Sequence, residues 1–230
     1  MKLGEHRIHV ESCASTQELV DPSMAEGAIA VADVQTGGRG RLGRAWEAPP
    51  GSALLASVLL KPPADRALPQ LALVAGVAVA DALEELTGLT VQIKWPNDVM
   101  LRRTKVAGIL AEARDDAVVL GIGVNVNQTR EQLPERAGSL LTATGVEWDR
   151  DAVLEAVLDA LGARYGQWRD GGLDAVYDGL APRDFLRGRV VTVDGRSGTA
   201  ELIERDGRLR IAVGHGEHVS VESGEVTYER

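Results

Sequence analysis

Residues 38–44 combine three glycines with three arginines, a composition typical of a loop that binds an anion. Glycine lets the backbone approach a ligand closely. Arginine offers planar paired donors that suit carboxylate and phosphate groups. We therefore expect Arg39, Arg41 and Arg44 to hold an anionic ligand on a loop that is mobile without it. Trp46 follows the loop and could stack on a flat base. A solvated basic loop is the alternative interpretation.

The same segment matches the G-x-G-x-x-G pattern of dinucleotide-binding loops, but its surroundings do not fit that function. In such loops a helix begins inside the glycine motif, and its N-terminus binds the pyrophosphate. Here Pro49, Pro50 and Gly51 follow the motif, and residues 54–61 predict a strand. No Gly-Lys-Ser/Thr sequence follows the glycines, so the Walker A pattern fails as well.

A second motif, "KWPND", places a lysine beside a carboxylate. Only four of the 25 basic residues are lysines, so a lysine inside a dense motif draws attention. Lys94 ends a strand-like run, and the Trp-Pro pair after it favours an extended turn that presents Asn97 and Asp98. An ordinary strand-to-turn sequence is the alternative.

Further polar residues interrupt strand-like runs or lie at their ends. In "TKVAGILAE" Lys105 opens a strand, and Gly108 permits a close approach to it. In "GIGVNVN" Asn125 is either a core polar group or a ligand contact, since an amide can bond an adenine edge. The turn "STQ" (15–17) fits simple helix capping as well as ligand binding.

The pattern of elements predicts an α+β fold with a mixed or antiparallel sheet, helices on one side, and a small β-barrel after it. Strand-like runs lie at 6–11, 28–35, 54–61, 91–95, 105–113 and 117–126. Helical periodicity lies at 15–21, 68–87 and 149–169. Short alternating strands then predict a second unit, so we expect domains at 1–183 and 184–230.

Composition excludes several classes of protein. The 230 residues carry a formal net charge of −9, which disfavours DNA as a partner. The N-terminus lacks a signal-peptide core, and the apolar run at 71–86 is too short to span a bilayer. A single cysteine, Cys13, excludes internal disulfides and thiolate metal sites. We expect a cytoplasmic protein without a membrane partner.

Taken in order, the motifs "STQ", "QTGGRGRLGRAW", "KWPND", "KVAGIL" and "GIGVN" resemble those of the biotin–protein ligase catalytic domain. The C-terminal β segment is similar to the family's small SH3-like domain. Two positions depart from the family pattern: Gln17 replaces the usual asparagine, and Leu42 stands where some members have another arginine. The first strand begins near residue 6, so the chain resembles the monofunctional class without an N-terminal helix-turn-helix.

The resemblance implies a two-step reaction that uses biotin, ATP and Mg²⁺ and modifies a lysine of a biotin carboxyl carrier protein. It implies biotin contacts from Ser15, Thr16, Gln17, Gln35, Arg39, Gly40, Arg41, Lys105 and Gly108. It implies ATP or adenylate contacts from Arg41, Arg44, Trp46, Lys94, Asn97 and Asn125. It implies a catalytic role for Lys94, Arg39 and Lys105, and a magnesium contact for Asp98. Monomer and homodimer remain equally open.

Two other functions remain open from the sequence. A lipoate or octanoate ligase or transferase has a related fold, and such a transferase would need Cys13 as its nucleophile, although no histidine lies near it in sequence. A non-catalytic biotin or nucleotide sensor would bind its ligand without turnover, and would have little need for Lys94 and Lys105.

Overall fold

The structure is a computed structural model that describes residues 1–214 and 216–228. It confirms the α+β class, with one seven-stranded mixed sheet and one five-stranded antiparallel sheet. The strands of the large sheet are β1 (Arg7–Cys13), β2 (Ile29–Gln35), β3 (Ala53–Leu60), β4 (Val91–Lys94), β5 (Asp98–Leu101), β6 (Thr104–Arg114) and β7 (Ala117–Asn125).

The large sheet has the order β1-β2-β3-β7-β6-β5-β4. β1 and β2 are parallel, and every other neighbouring pair is antiparallel. The segment "RDDA" (114–117) joins β6 to β7 as a hairpin, with Arg114 opposite Ala117. All eight residues of the central strand β3 are buried, because the sheet is covered on both faces at that point.

The long helices pack together on one face of this sheet, as predicted. The helices are α1 (Leu71–Thr87), α2 (Leu140–Thr144), α3 (Arg150–Gly171) and α4 (Tyr177–Leu180). α1 contacts α3 and lies on β4, β5 and β6. It can approach the sheet closely because it is rich in alanine and has Gly76 facing Ile93. Among the described residues, none of these helices has the length and apolarity needed to cross a membrane.

The helix predicted at 15–21 is wrong. The segment forms one 3₁₀ turn, Thr16–Glu18, capped by the Ser15 hydroxyl, which accepts a hydrogen bond from the Gln17 amide. Thr16 and Gln17 are buried, and their side chains bond to the sheet instead of extending a helix.

The second sheet is the small all-β unit expected near the C-terminus. Its strands are β8 (Val190–Val193), β9 (Arg196–Ile203), β10 (Leu209–Gly214), β11 (Glu217–Val221) and β12 (Val226–Tyr228), in the order β11-β10-β9-β8-β12. Its inner residues belong to the same hydrophobic cluster as the helices. The Trp95 indole also donates to the Gly207 carbonyl at 2.9 Å. The domain boundary at 183 stays a prediction, and His215, Glu229 and Arg230 lie outside the described residues.

Candidate active site

A cavity of about 140 Å³ opens on the face of the large sheet that the long helices do not cover. Its wall is formed by the 15–17 turn, by residues 38–44, which we call the glycine–arginine loop, by strands β3 and β5–β7, and by residues 224–226. Nearly every site residue predicted from the sequence lines it: Ser15, Thr16, Gln17, Gln35, Arg39, Gly40, Arg41, Arg44, Trp46, Lys94, Asn97, Asp98, Lys105 and Gly108. Asn125 does not line it.

One end of the cavity is a buried polar network around Thr16. The Thr16 amide and hydroxyl both donate to Gln35 Oε1, at 2.7 and 3.0 Å. The Thr16 hydroxyl also lies 2.8 Å from that of Ser57, which is completely buried in β3. Ser57 was not among the site residues predicted from the sequence, although it is the one polar residue in the apolar run "ALLASVLL" and could have been singled out for that reason.

Gln17 adds an acceptor to this end of the cavity. Its Nε2 donates to the Leu110 carbonyl at 3.2 Å, and its amide packs on Gly121, where a Cβ would come within 2.8 Å of Nε2. Gln17 Oε1 is buried without a hydrogen-bond partner among the described residues. A buried acceptor of this kind is costly unless a ligand supplies a donor.

The other end carries two lysines that share one carboxylate. Lys105 Nζ lies 2.6 Å from Asp98 Oδ1, and Lys94 Nζ lies 3.2 Å from Asp98 Oδ2. The antiparallel pairing of β4 with β5 sets Lys94 opposite Asp98. Burial would raise the pKa of Asp98, but the ammonium groups of Lys105 and Lys94 outweigh burial and hold that pKa below its usual value. Asp98 is therefore ionised at neutral pH.

This arrangement does not fit the expected magnesium contact of Asp98. Both carboxylate oxygens already face ammonium groups, whereas Mg²⁺ requires several oxygen ligands of its own. Within residues 1–214 and 216–228, no group of three or more His, Cys, Asp or Glu side chains could hold a metal ion. The position of Asp98 instead fits a group that holds Lys94 and Lys105 in place.

The glycine–arginine loop folds back on itself over the cavity. Arg39 and Ala45 form an isolated β-bridge, and the Gly40 amide donates to the Arg44 carbonyl at 2.7 Å. Arg41 Nη1 donates to Asn97 Oδ1 at 3.4 Å, and burial lowers the pKa of the Arg41 guanidinium. Arg39 lies 3.7 Å from Glu18 and from Glu112.

Trp46 lies directly on the sheet, in a space that two glycines leave open. A Cβ at Gly123 would come within 2.6 Å of the indole, and one at Gly108 within 2.9 Å. The Lys105 ammonium lies 5.4 Å from the centre of the ring. Trp46 Nε1 is buried without a partner among the described residues. Gly123 was missed from the sequence as a site residue, although it belongs to the "GIGVN" motif.

Asn125 lies outside the cavity lining, and both polar atoms of its side chain are hydrogen-bonded within the protein. Its Nδ2 donates to the Gly138 carbonyl at 2.9 Å, and its Oδ1 accepts from Gln128 Nε2 at 3.0 Å. The chain at 138 covers this end of β7, so the structure does not bring the asparagine expected to contact adenine together with the other site residues.

Cys13 also lies outside the set of cavity-lining residues. Burial and the nearby Glu18 carboxylate both raise the pKa of its thiol. Both effects disfavour the thiolate that a cysteine nucleophile requires.

Comparison with known proteins shows which family the chain that forms this cavity belongs to. Residues 10–128 match the Biotin/lipoate A/B protein ligase family, and this range begins within β1 and includes every predicted site residue. The chain belongs to that family. The resemblance to biotin–protein ligases is confirmed by a Mycobacterium tuberculosis relative named biotin–[acetyl-CoA-carboxylase] ligase, which is 38% identical over 215 residues, covering 89% of this chain and 80% of the relative.

A solved structure and a further relative also resemble this chain. The biotin protein ligase from Aquifex aeolicus in complex with biotin and ATP superposes with a TM-score of 0.89 at 34% identity, covering 99% of this chain and 100% of that one. A Bacillus subtilis relative, the bifunctional ligase/repressor BirA, is 37% identical over 188 residues. That alignment covers 76% of this chain and 58% of the length of BirA.

Proposed function

We propose that this chain is an ATP-dependent biotin–protein ligase that forms biotinyl-5′-AMP and then transfers biotin to a lysine of a biotin carboxyl carrier protein. Family membership supports this function, and one observation carries it. A buried polar network at Thr16 and Gln35 and a paired ammonium centre at Lys94 and Lys105 line the same cavity. That combination suits a ligand with a polar ring at one end and a carboxylate at the other.

The polar end suits the ureido ring of biotin, which has two N–H donors and one carbonyl acceptor. The buried Gln17 Oε1 can accept from a ring N–H, and the hydroxyl of Ser15 can donate to the carbonyl. Backbone groups of 39–41 border the same space. A hydrogen bond from a ligand N–H to Gln17 Oε1 removes the free-energy cost of leaving this buried acceptor unpaired.

The charged end suits the first chemical step. An oxygen of the biotin carboxylate attacks the α-phosphorus of ATP, the bond to the β-phosphate oxygen breaks, and pyrophosphate leaves with the electron pair. Two anionic groups about 4 Å apart at an effective dielectric near 20 repel by about 4 kcal/mol. Lys94, Lys105 and Arg41 offset that repulsion, with Lys94 as the cation at the reacting phosphate. Mg²⁺ enters with ATP as part of the substrate.

The second step needs no protein nucleophile. The ε-amine of the carrier lysine attacks the acyl carbon of the mixed anhydride, AMP leaves, and the amine loses a proton. The glycine–arginine loop and Trp46 cover the cavity and so shield the anhydride from water. We also propose that the reaction takes place in the cytoplasm.

The test is ATP–pyrophosphate exchange with Mg²⁺, measured with biotin, with lipoate and without an acid. We expect exchange with biotin alone. Exchange with lipoate would keep the adenylation chemistry and change the substrate. If no acid supports exchange, the chain binds without turnover and the sensor interpretation replaces this one.

A further inference from the structure

A second cleft, of about 270 Å³, lies beside the active-site cavity and is strongly basic. We call it the basic cleft; it is lined by Arg102, Arg103, Thr104, Glu135, Arg136, Phe185 and Tyr228. Arg102, Arg103 and Arg136 are exposed. A fourth arginine, Arg189, has its guanidinium 4.4 Å from the Phe185 ring centre and 6.0 Å from that of Tyr228.

These four arginines stand out in an acidic chain. The ion pairs formed within residues 1–214 and 216–228 include none of them, whereas most of the other cations have a carboxylate within 4 Å. Of the cleft-lining residues within 1–214 and 216–228, only Glu135 is acidic. Among these described residues positive charge exceeds negative charge, although the whole chain carries −9.

The backbone also fixes two of these arginines in place. Arg102 and Arg103 form the two-residue turn between β5 and β6, with φ of 47° and 66°. Such turns favour Asn and Gly, because a side chain at positive φ is strained. Local turn preference therefore does not explain two consecutive arginines there, whereas an interaction made by their side chains would.

The basic cleft borders the reacting centre on two sides. Tyr228 lines the cleft, and its ring centre lies 5.8 Å from Lys94 Nζ. The Arg136 carbonyl accepts from the backbone amide of Lys105 at 3.1 Å. A macromolecule that presents an amine to an adenylate held between Lys94 and Lys105 would therefore place the surface around that amine over the cleft.

From this placement we infer that the basic cleft is a docking surface for an acidic face of the acceptor protein. The inference rests on the proposed function, because it assigns a partner to the same site. Arginine and aromatic residues are enriched in protein interfaces. The positive charge of the cleft attracts an acidic partner to this one place, whereas the rest of the acidic surface repels acidic proteins.

The test compares two double variants with the same change in net charge. Arg103→Glu/Arg136→Glu reverses the charge of the cleft. Lys2→Glu/Arg205→Glu is the matched control, since these two side chains are 79% and 63% exposed and do not line the cleft. Binding of a fluorescently labelled biotin carboxyl carrier domain is measured without biotin or ATP over a range of ionic strengths, and pyrophosphate exchange is measured in parallel.

We expect the cleft variant to bind the carrier domain at least tenfold more weakly than wild type at low salt, with a shallower dependence on ionic strength. The control should stay within about twofold of wild type. Pyrophosphate exchange should be unchanged in both, since it does not involve the carrier. Changing Asp and Glu residues near the acceptor lysine to Asn and Gln should weaken binding to wild type but not to the cleft variant.

Two results would overturn the inference. Equal carrier binding by both double variants would show that the cleft does not contact the carrier. A parallel loss of pyrophosphate exchange in the cleft variant would show that the cleft binds nucleotide or pyrophosphate instead. If wild type shows no exchange but carrier binding still depends on the cleft, the proposed function fails and the docking surface stands.

Discussion

The substitution Asp98→Asn tests the reasoning about the lysine pair most directly, because it removes one charge without changing the shape of the side chain. At 2.6 and 3.2 Å, the two ion pairs of Asp98 represent attractions of about 6 and about 5 kcal/mol at an effective dielectric near 20. The cost of burying the carboxylate offsets much of this, and breaking a buried pair typically costs about 3–5 kcal/mol. Since the Lys105 side chain is 34% exposed, solvent screens part of its interaction, so we expect a loss of about 3 kcal/mol.

Two measurements follow the effect of Asp98→Asn. Denaturant unfolding reports the free energy of unfolding, and pyrophosphate exchange reports adenylation. We expect exchange to fall by about 100-fold or more, because the two ammonium groups then repel each other and leave their positions. The magnesium concentration for half-maximal exchange should stay the same, because both Asp98 oxygens face lysine ammonium groups. A shift in that concentration would support the magnesium contact predicted from the sequence. Asp174→Asn, which breaks an exposed pair with Arg205, is the control and should change neither measurement.

The pH dependence of stability gives an independent check on Asp98. Its pKa is lowered in the folded state, so the ion pairs contribute fully above the unfolded pKa near 4. That contribution is lost as the pH falls through the lower folded pKa. The difference in unfolding free energy between wild type and Asp98→Asn should therefore shrink below about pH 4. Unchanged stability at neutral pH together with unchanged exchange would refute this account.

Three further changes test other parts of the site. Gly123→Ala places a Cβ 2.6 Å from the indole of Trp46, the predicted adenylate contact, so we expect the KM for ATP to rise about tenfold. Gly166→Ala, in open space, is the control, and an unchanged KM for ATP would contradict the indole's role. Lys94→Ala should lower pyrophosphate exchange by about two decades or more, and near-wild-type exchange would reject Lys94 as the cation at the phosphate. Trypsin should cleave the loop 37–46 more slowly with biotin and ATP present, and equal rates would argue against ordering by ligand.

Much of the fold could be predicted because its signals are local. β-branched runs located six strands of the large sheet. β5 (Asp98–Leu101) was not predicted, because it has only four residues and directly follows the turn at "WPN". The helix at 15–21 failed because apolar spacing alone does not reveal where polar side chains bond. Thr16 and Gln17 find partners in Ser57 and Leu110, far along the chain, and these contacts decide the local backbone.

The site was predicted from the order of the motifs along the chain more than from any one residue. Residues whose role depends on contacts between distant segments were therefore misassigned or missed. Asn125 occupies the expected strand face, but a later segment at 138 covers it, and no pattern near Asn125 signals that contact. Ser57 and Gly123 matter through what packs on them. Such roles depend on the way strands meet in the sheet, which spacing along the chain does not record.

The cations of the site fall into two groups, which differ in whether the carboxylate that pairs with them is buried or partly exposed. Lys94 and Lys105 pair at short range with a buried carboxylate, so their positions persist whether or not a ligand is bound. Arg39 lies 3.7 Å from two partly exposed glutamates, and Arg44 pairs with the partly exposed Glu225. Partly exposed pairs contribute little to stability, because solvent screens them. An incoming phosphate or carboxylate can therefore replace the glutamates on the loop at small cost, while the two lysines hold the position where the reaction takes place.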